Sequence, residues 1–321
     1  MFRNREQKNG YAIAIAWPQT WCKQSGAWYD KYTKWLGFNK EGYYQVGHAA
    51  VVLVSIGEGV CHYFDFGRYH APFKFGRVRN ASTDNDLAIK TKAMFNNNDI
   101  INLHEIIEEL KNNLSCHGTG TIIASYSKIN FNKALSRALL LQNLSPIKYG
   151  PFTFNGTNCS RFVRTIILAG EPSIFTRFNL LFPPTLTPTP KWITSSLGKY
   201  NSLISSNHAK PNVQLSASKN INKANVLPEP EKHSEIPYDS KWLAGEGCGS
   251  WFSILAIDNL LAVKRFSEEG LIEANNIFRN MELNSINLCE TYNLDYPSND
   301  KIITLVQEGV KYRYASITNM V

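Results

Sequence analysis

The chain is short of paired cysteines, of long apolar runs and, over its first 200 residues, of acidic side chains. Six cysteines are spread over 321 residues, at positions 22, 61, 116, 159, 248 and 289. No two form a C-x-x-C pair, which argues against a structural zinc site. So low a density does not make a disulfide framework either. No apolar run approaches the roughly 20 residues that a membrane span needs. The opening MFRNREQKNGYAIAIAWP starts basic, but its apolar part is short and stops at Trp17-Pro18 without a small-residue cleavage site. It reads as a first β-strand and not as a signal peptide, so the expected location is cytoplasmic. Residues 1–200 carry 23 Lys+Arg against 12 Asp+Glu, a net +11, while residues 201–321 carry 11 against 14, a net −3. A basic half suits an anionic substrate or surface. No Lys/Arg cluster resembles a nucleic-acid-binding element, so no nucleic-acid partner is expected.

What is present divides the chain into three parts. The first, residues 1–190, reads as mixed helix and strand. Tyr11–Trp17 is a strand candidate, and the aromatic-rich Trp21–Phe38 has a helical character ending near Gly37. In GHAAVVLVSIGEGVCHYFDFGRY, two β-branched and aromatic runs flank GEG, which predicts a hairpin. Asn102–Leu114 and Asn130–Leu144 have helical periodicity, with Asn130 or Asn132 as a possible cap. The segment from Asn158 to Gly170 also predicts a helix, with Gly170 at its end. Residues 191–237 are polar and rich in proline and read as a linker. Residues 238–321 form a second unit, expected to be a small α+β domain. It would hold a helix in SEEGLIEANNIFRNM and two strands around Gln307-Glu308-Gly309.

Chemistry is suggested by three separated residues. A cysteine hydrolase needs a thiolate, a base for its proton and a group that orients the base. Cys159, in GTNCSRFV, stands at the start of a predicted helix, where unpaired N–H groups and the helix dipole favour a thiolate. His48 opens the first strand of the predicted hairpin, and Asp65 returns on the second. A turn centred on Glu58 brings residues near 65–68 opposite position 48. His62 is the alternative third residue, on the other face of the same strand, and a slip of one residue would exchange the two. Each feature alone has a more ordinary explanation: a free cysteine is commonly buried, and a strand-edge histidine is commonly a surface or satisfied residue. A carboxylate inside an apolar strand is less ordinary, because it needs a partner.

Together these residues carry a resemblance. The order of a histidine opening an apolar strand, a polar residue on the next strand, and then NCSRFV resembles the circularly permuted branch of the NlpC-type papain-like cysteine hydrolases. That branch includes the lecithin:retinol acyltransferase-like proteins, in which the histidine also precedes the cysteine. The resemblance covers roughly residues 10–170. It implies an α+β fold, with an antiparallel sheet packed on helices. It also implies Cys159 as nucleophile, His48 as general base and Asp65 or His62 as third residue. The expected activity is a hydrolase (peptidase or amidase) or an acyltransferase working through an acyl-thioester on an amide or ester substrate, with no metal or cofactor. A non-catalytic binding module on the same fold is the alternative.

Trp17, Arg68 and Tyr149 are the candidate substrate contacts. The aromatic cluster at Trp17, Trp21, Trp28, Tyr29 and Trp35 is read first as core packing. Arg68, Arg77 and Arg79 could clamp a carboxylate or phosphate, against the plainer reading as surface arginines. His70 and His117 lack the short spacing of metal ligands.

Overall fold

The computed structural model describes residues 8–24, 32, 35, 39–40, 43–97, 99–204, 226–282 and 286–317. Two seven-stranded antiparallel sheets dominate it. Numbering only the strands of these sheets, the first contains β1 (Gly10–Trp17), β2 (His48–Ser55), β3 (Cys61–Gly67), β4 (Phe75–Arg79), β5 (Ile122–Ile129), β6 (Ile147–Lys148) and β7 (Lys199–Ile204). Its spatial order is β6-β4-β3-β2-β1-β5-β7. The helices are α1 (Leu103–Asn112), α2 (Phe131–Asn143), α3 (Cys159–Ala169), α4 (Ile174–Leu181) and α5 (Pro190–Ser196).

The central strands are apolar on both faces because both faces are covered. Tyr11, Ile13, Ile15 and Trp17 of β1 join Ala50, Val52 and Val54 of β2 in one core, closed by Leu103, Ile106, Ile107 and Leu110 of α1. The opposite face offers Ala12, Ala14, Ala49, Val51 and Leu53 to Phe162, Val163, Ile166 and Ile167 of α3. The alanines on this side leave room for the helix layer. In β1, alternation of period two therefore sends the large residues to one layer and the alanines to the other.

The predicted hairpin is β2–β3, with Ala50 opposite Asp65 and Val54 opposite Cys61. Helix α3 begins as expected, its Asn158 side chain accepting the Arg161 N–H at 2.8 Å. Gly170 caps its end with φ −74°, so it is not there for a left-handed turn. A Cβ at this position would lie 2.9 Å from the Ile129 side chain, which makes the glycine a close-packing requirement. The helix expected over Trp21–Phe38 differs at its start, where Trp21–Lys23 is a short strand paired with Tyr43–Gln45. Residues 25–31, 33–34 and 36–38 lie outside the described residues.

Two corrections concern the remainder. Ordered structure runs into the stretch read as linker: α5 packs on β1 and β5, and β7 extends the first sheet beside β5. Residues 205–225 lie outside the described residues. The second unit is a β-sheet and not α+β. Its strands are β8 (Lys241–Ala244), β9 (Gly249–Ile257), β10 (Leu260–Phe266), β11 (Ile272–Asn280), β12 (Asn293–Asp295), β13 (Ile302–Gln307) and β14 (Val310–Ser316), in the order β8-β9-β10-β11-β14-β13-β12. The predicted helix over Ser267–Met281 is strand β11, whose buried residues Ala274, Asn276 and Phe278 alternate. The two strands around Gln307-Glu308-Gly309 are β13 and β14.

Candidate active site

The first sheet places His48 and Asp65 on one face, near the ends of β2 and β3. His48 pairs in register with Trp17, the last residue of β1. Its imidazole stacks on the Trp17 indole at 5.7 Å and meets the Tyr69 ring edge-on at 6.4 Å. The imidazole Nε2 lies 3.4 Å from Asp65 Oδ2. That is close enough for an ion pair but too poorly aligned to count as a hydrogen bond. Tight packing fixes this wall, since Gly118 lies against the Trp17 ring and a Cβ there would come within 2.2 Å of it.

Asp65 is fully buried and is held from three sides. Arg79, its register partner on β4, donates to both carboxylate oxygens at 3.0 and 2.6 Å. The Tyr63 hydroxyl, two residues away on the same face, donates to Oδ2 at 3.1 Å. Burial alone would raise the Asp65 pKa, but Arg79 and His48 overcome it and hold the carboxyl well below the usual range. Arg79 is fixed in turn by the Ser115 carbonyl at 3.0 Å and lies 3.8 Å over the Tyr69 ring.

Cys159 is the first residue of α3 and is 6% exposed. Burial pushes its thiol pKa up. The hydrogen bond and charge of His48, the main-chain N–H of Ala49 and the Ser160 hydroxyl outweigh burial, and the net shift is downward. His48 shows the reciprocal effect: burial lowers its pKa, but Asp65 and Cys159 raise it to about 9. Burial drives other thiols the opposite way, Cys22, Cys116 and Cys248 to about 12 and Cys61 to about 11.

Of the two candidates for third residue, the structure brings Asp65 to His48 and not His62. His62 pairs with Leu53 on the opposite face, and its ring rests against Phe131 at 5.7 Å. The register puts Asp65 opposite Ala50, so position 48 falls level with Gly67, one residue from where a turn centred on Glu58 would put it. Trp17 is a buried wall of the site. Tyr149 stacks on Phe66 at 5.7 Å, close enough to Cys159 for the thiolate charge to raise its pKa, second to burial. Arg68 is corrected as a free substrate clamp. It is buried, ion-paired with Glu246 from the second unit, bonded to the Lys23 carbonyl, and 4.9 Å above the Tyr149 ring. Arg77 and Arg79 are likewise internal, paired with Asp84 and Asp65.

Sequence reasoning missed Arg79 as the holder of Asp65, although FGRVR places Arg77 and Arg79 at strand spacing on one face. It also missed Cys22, a second thiol near Cys159, and Glu246, for which no local signal exists. His70 sits between Arg77 at 3.2 Å and Ser250 at 2.9 Å, and His117 stacks on Tyr69 at 4.8 Å. Among the described residues, no three His, Cys, Asp or Glu side chains are grouped to hold a metal.

The geometry is thus a cysteine at a helix start, a histidine at a strand end and a carboxylate locked by arginine. Residues 12–174, which include all three, match the model of the type VI secretion system effector TseH-like family, and this is more than half of the chain. The chain belongs to that family. Residues 240–317 match the DUF6695 C-terminal domain. The crystal structure of the type VI secretion system effector TseH is similar at 19% identity and a TM-score of 0.37, covering 59% of this chain and 88% of that one. No curated protein sequence matches. Among the described residues, no helix is long and apolar enough to cross a membrane.

Proposed function

We propose that this effector is a cysteine hydrolase with a permuted papain-like catalytic domain, in which Cys159 is the nucleophile, His48 the general base and Asp65 the orienting carboxylate. The observation that carries the reading is the geometry: Cys159 opens a helix, and His48 lies 3.4 Å from a buried Asp65 that Arg79 holds. The downward shift of the thiol pKa by His48 agrees with it. Asp65 engages Nε2, leaving Nδ1 for the thiol. His48 takes the Cys159 proton, and the thiolate attacks an amide or ester carbonyl carbon. The oxyanion that forms is stabilised by main-chain N–H groups at the start of α3. His48 then gives the proton to the leaving amine or alcohol, and an acyl-thioester remains on Cys159. Water, deprotonated by His48, releases the acid and restores the thiol. Membership in a family of secretion effectors favours action after export over the cytoplasmic location expected from sequence.

The test is to incubate the full chain with a p-nitrophenyl acyl ester, quench in acid and map the acyl mass by peptide analysis. The expected result is acylation of Cys159, lost in His48→Ala. Acylation spread over other cysteines with Cys159 unmodified would overturn the assignment.

A further inference from the structure

Helix α4 exposes its more apolar side. It packs inward through Thr176 and Leu180. Ile174, Phe175, Phe178, Leu181 and Phe182 follow one another at i, i+1, i+4, i+7 and i+8, a single helix face, and all five are exposed. The three phenylalanines are 81, 62 and 64% exposed, so their rings alone leave roughly 400 Å² of apolar surface in water. This already reaches the range of the largest patch on a typical monomer, about 300–600 Å². The Phe178 and Phe182 rings touch at 4.8 Å, so the row is continuous.

Charge identifies what fits this row. From Cys159 to Gly198 the chain carries Arg161, Arg164, Arg177 and Lys191, against Glu171 alone. Glu171 is already paired with Lys133 at 3.2 Å. Arg177 lies within the apolar row itself, and it and Lys191 are exposed. The segment 205–225 is a poor cover for the row, because its only large apolar residues are Val213, Leu215 and Ile221. An aromatic-rich apolar face within a cationic, almost acid-free segment matches the interface of an anionic bilayer. We propose that the α4 face docks this protein onto anionic lipid, with the phenylalanines entering the headgroup–acyl boundary and Arg177 and Lys191 meeting lipid phosphates.

The full chain is sedimented with vesicles of phosphatidylethanolamine containing phosphatidylglycerol, and with vesicles of phosphatidylcholine alone. The expected result is binding to the anionic vesicles at least about tenfold tighter than to the neutral ones, weakened by salt and lost in the double variant Phe175→Ser/Phe178→Ser. That variant changes only exposed side chains, so it should keep the wild-type melting temperature and Cys159 labelling. Wild-type protein left in the supernatant with anionic vesicles would overturn the proposal, as would binding that survives the double variant. Self-association of the wild type in light scattering, abolished by the double variant, would also overturn it by making a second copy the occupant.

Discussion

At the scale of residues, the site depends on an ionic chain running from Arg79 through Asp65 and His48 to Cys159. Each member is buried, so each needs the next: an unpaired charge in this setting costs far more than the pair contributes. Asp65→Ala leaves the Arg79 guanidinium buried against the Tyr69 ring with the Ser115 carbonyl as its remaining polar partner. We expect a loss of about 3–5 kcal/mol in urea unfolding, together with slower modification of Cys159. A loss below about 1 kcal/mol, the size expected of an exposed pair, would mean that Asp65 does not hold Arg79 in solution.

At the scale of elements, the site is assembled from the start of one helix and the ends of two strands. Asn158 holds the first turn of α3 through its bond to the Arg161 N–H. Asn158→Ala should cost about 1 kcal/mol, read as a fall in melting temperature, and should loosen the main-chain donors beside Cys159. Most of this assembly was legible in the sequence, because its signals are local. The alternation in YAIAIAW and HAAVVLV, the glycines around Glu58 and the asparagine before Cys159 each act within a few residues. The choice between Asp65 and His62 was not legible, because it depends on a one-residue register that the turn alone leaves open. The Ser267–Met281 segment misled for another reason. Leu271, Ile272, Ala274, Ile277 and Phe278 mimic helical spacing, yet only Ala274 and Phe278 of these are buried. Pairing with β10 and β14 overrides that local pattern.

At the scale of the whole molecule, the two sheets are joined by buried polar contacts that no sequence window shows. Glu246 reaches Arg68 and accepts the Lys74 N–H at 2.7 Å, and the Gly247 N–H bonds to the Arg68 carbonyl at 2.9 Å. Arg265 of β10 lies 3.0 Å from Asp300 and Glu273 in its own unit and 3.6 and 3.4 Å from Asp84 and Asp86 across the junction. Through Arg68 and Tyr149 the second unit therefore supports a wall of the Cys159 site. Arg265→Met should uncouple the units, splitting one calorimetric unfolding transition into two. A single transition at the wild-type temperature would show that the junction does not depend on this residue.

The central claim is that His48 holds Cys159 as a reactive thiolate, and the most direct measurement is the rate of iodoacetamide labelling at Cys159 as a function of pH. The account predicts that Cys159 labels fastest of the six cysteines near pH 7, with a midpoint below the ordinary thiol value of 9.0. In His48→Ala, burial is opposed only by the Ala49 N–H and the Ser160 hydroxyl, so the midpoint should move up and the rate near pH 7 should fall at least about tenfold, following the thiolate fraction. A Cys159 that labels no faster than Cys22 or Cys116, or whose profile does not change when His48 is removed, would contradict the account.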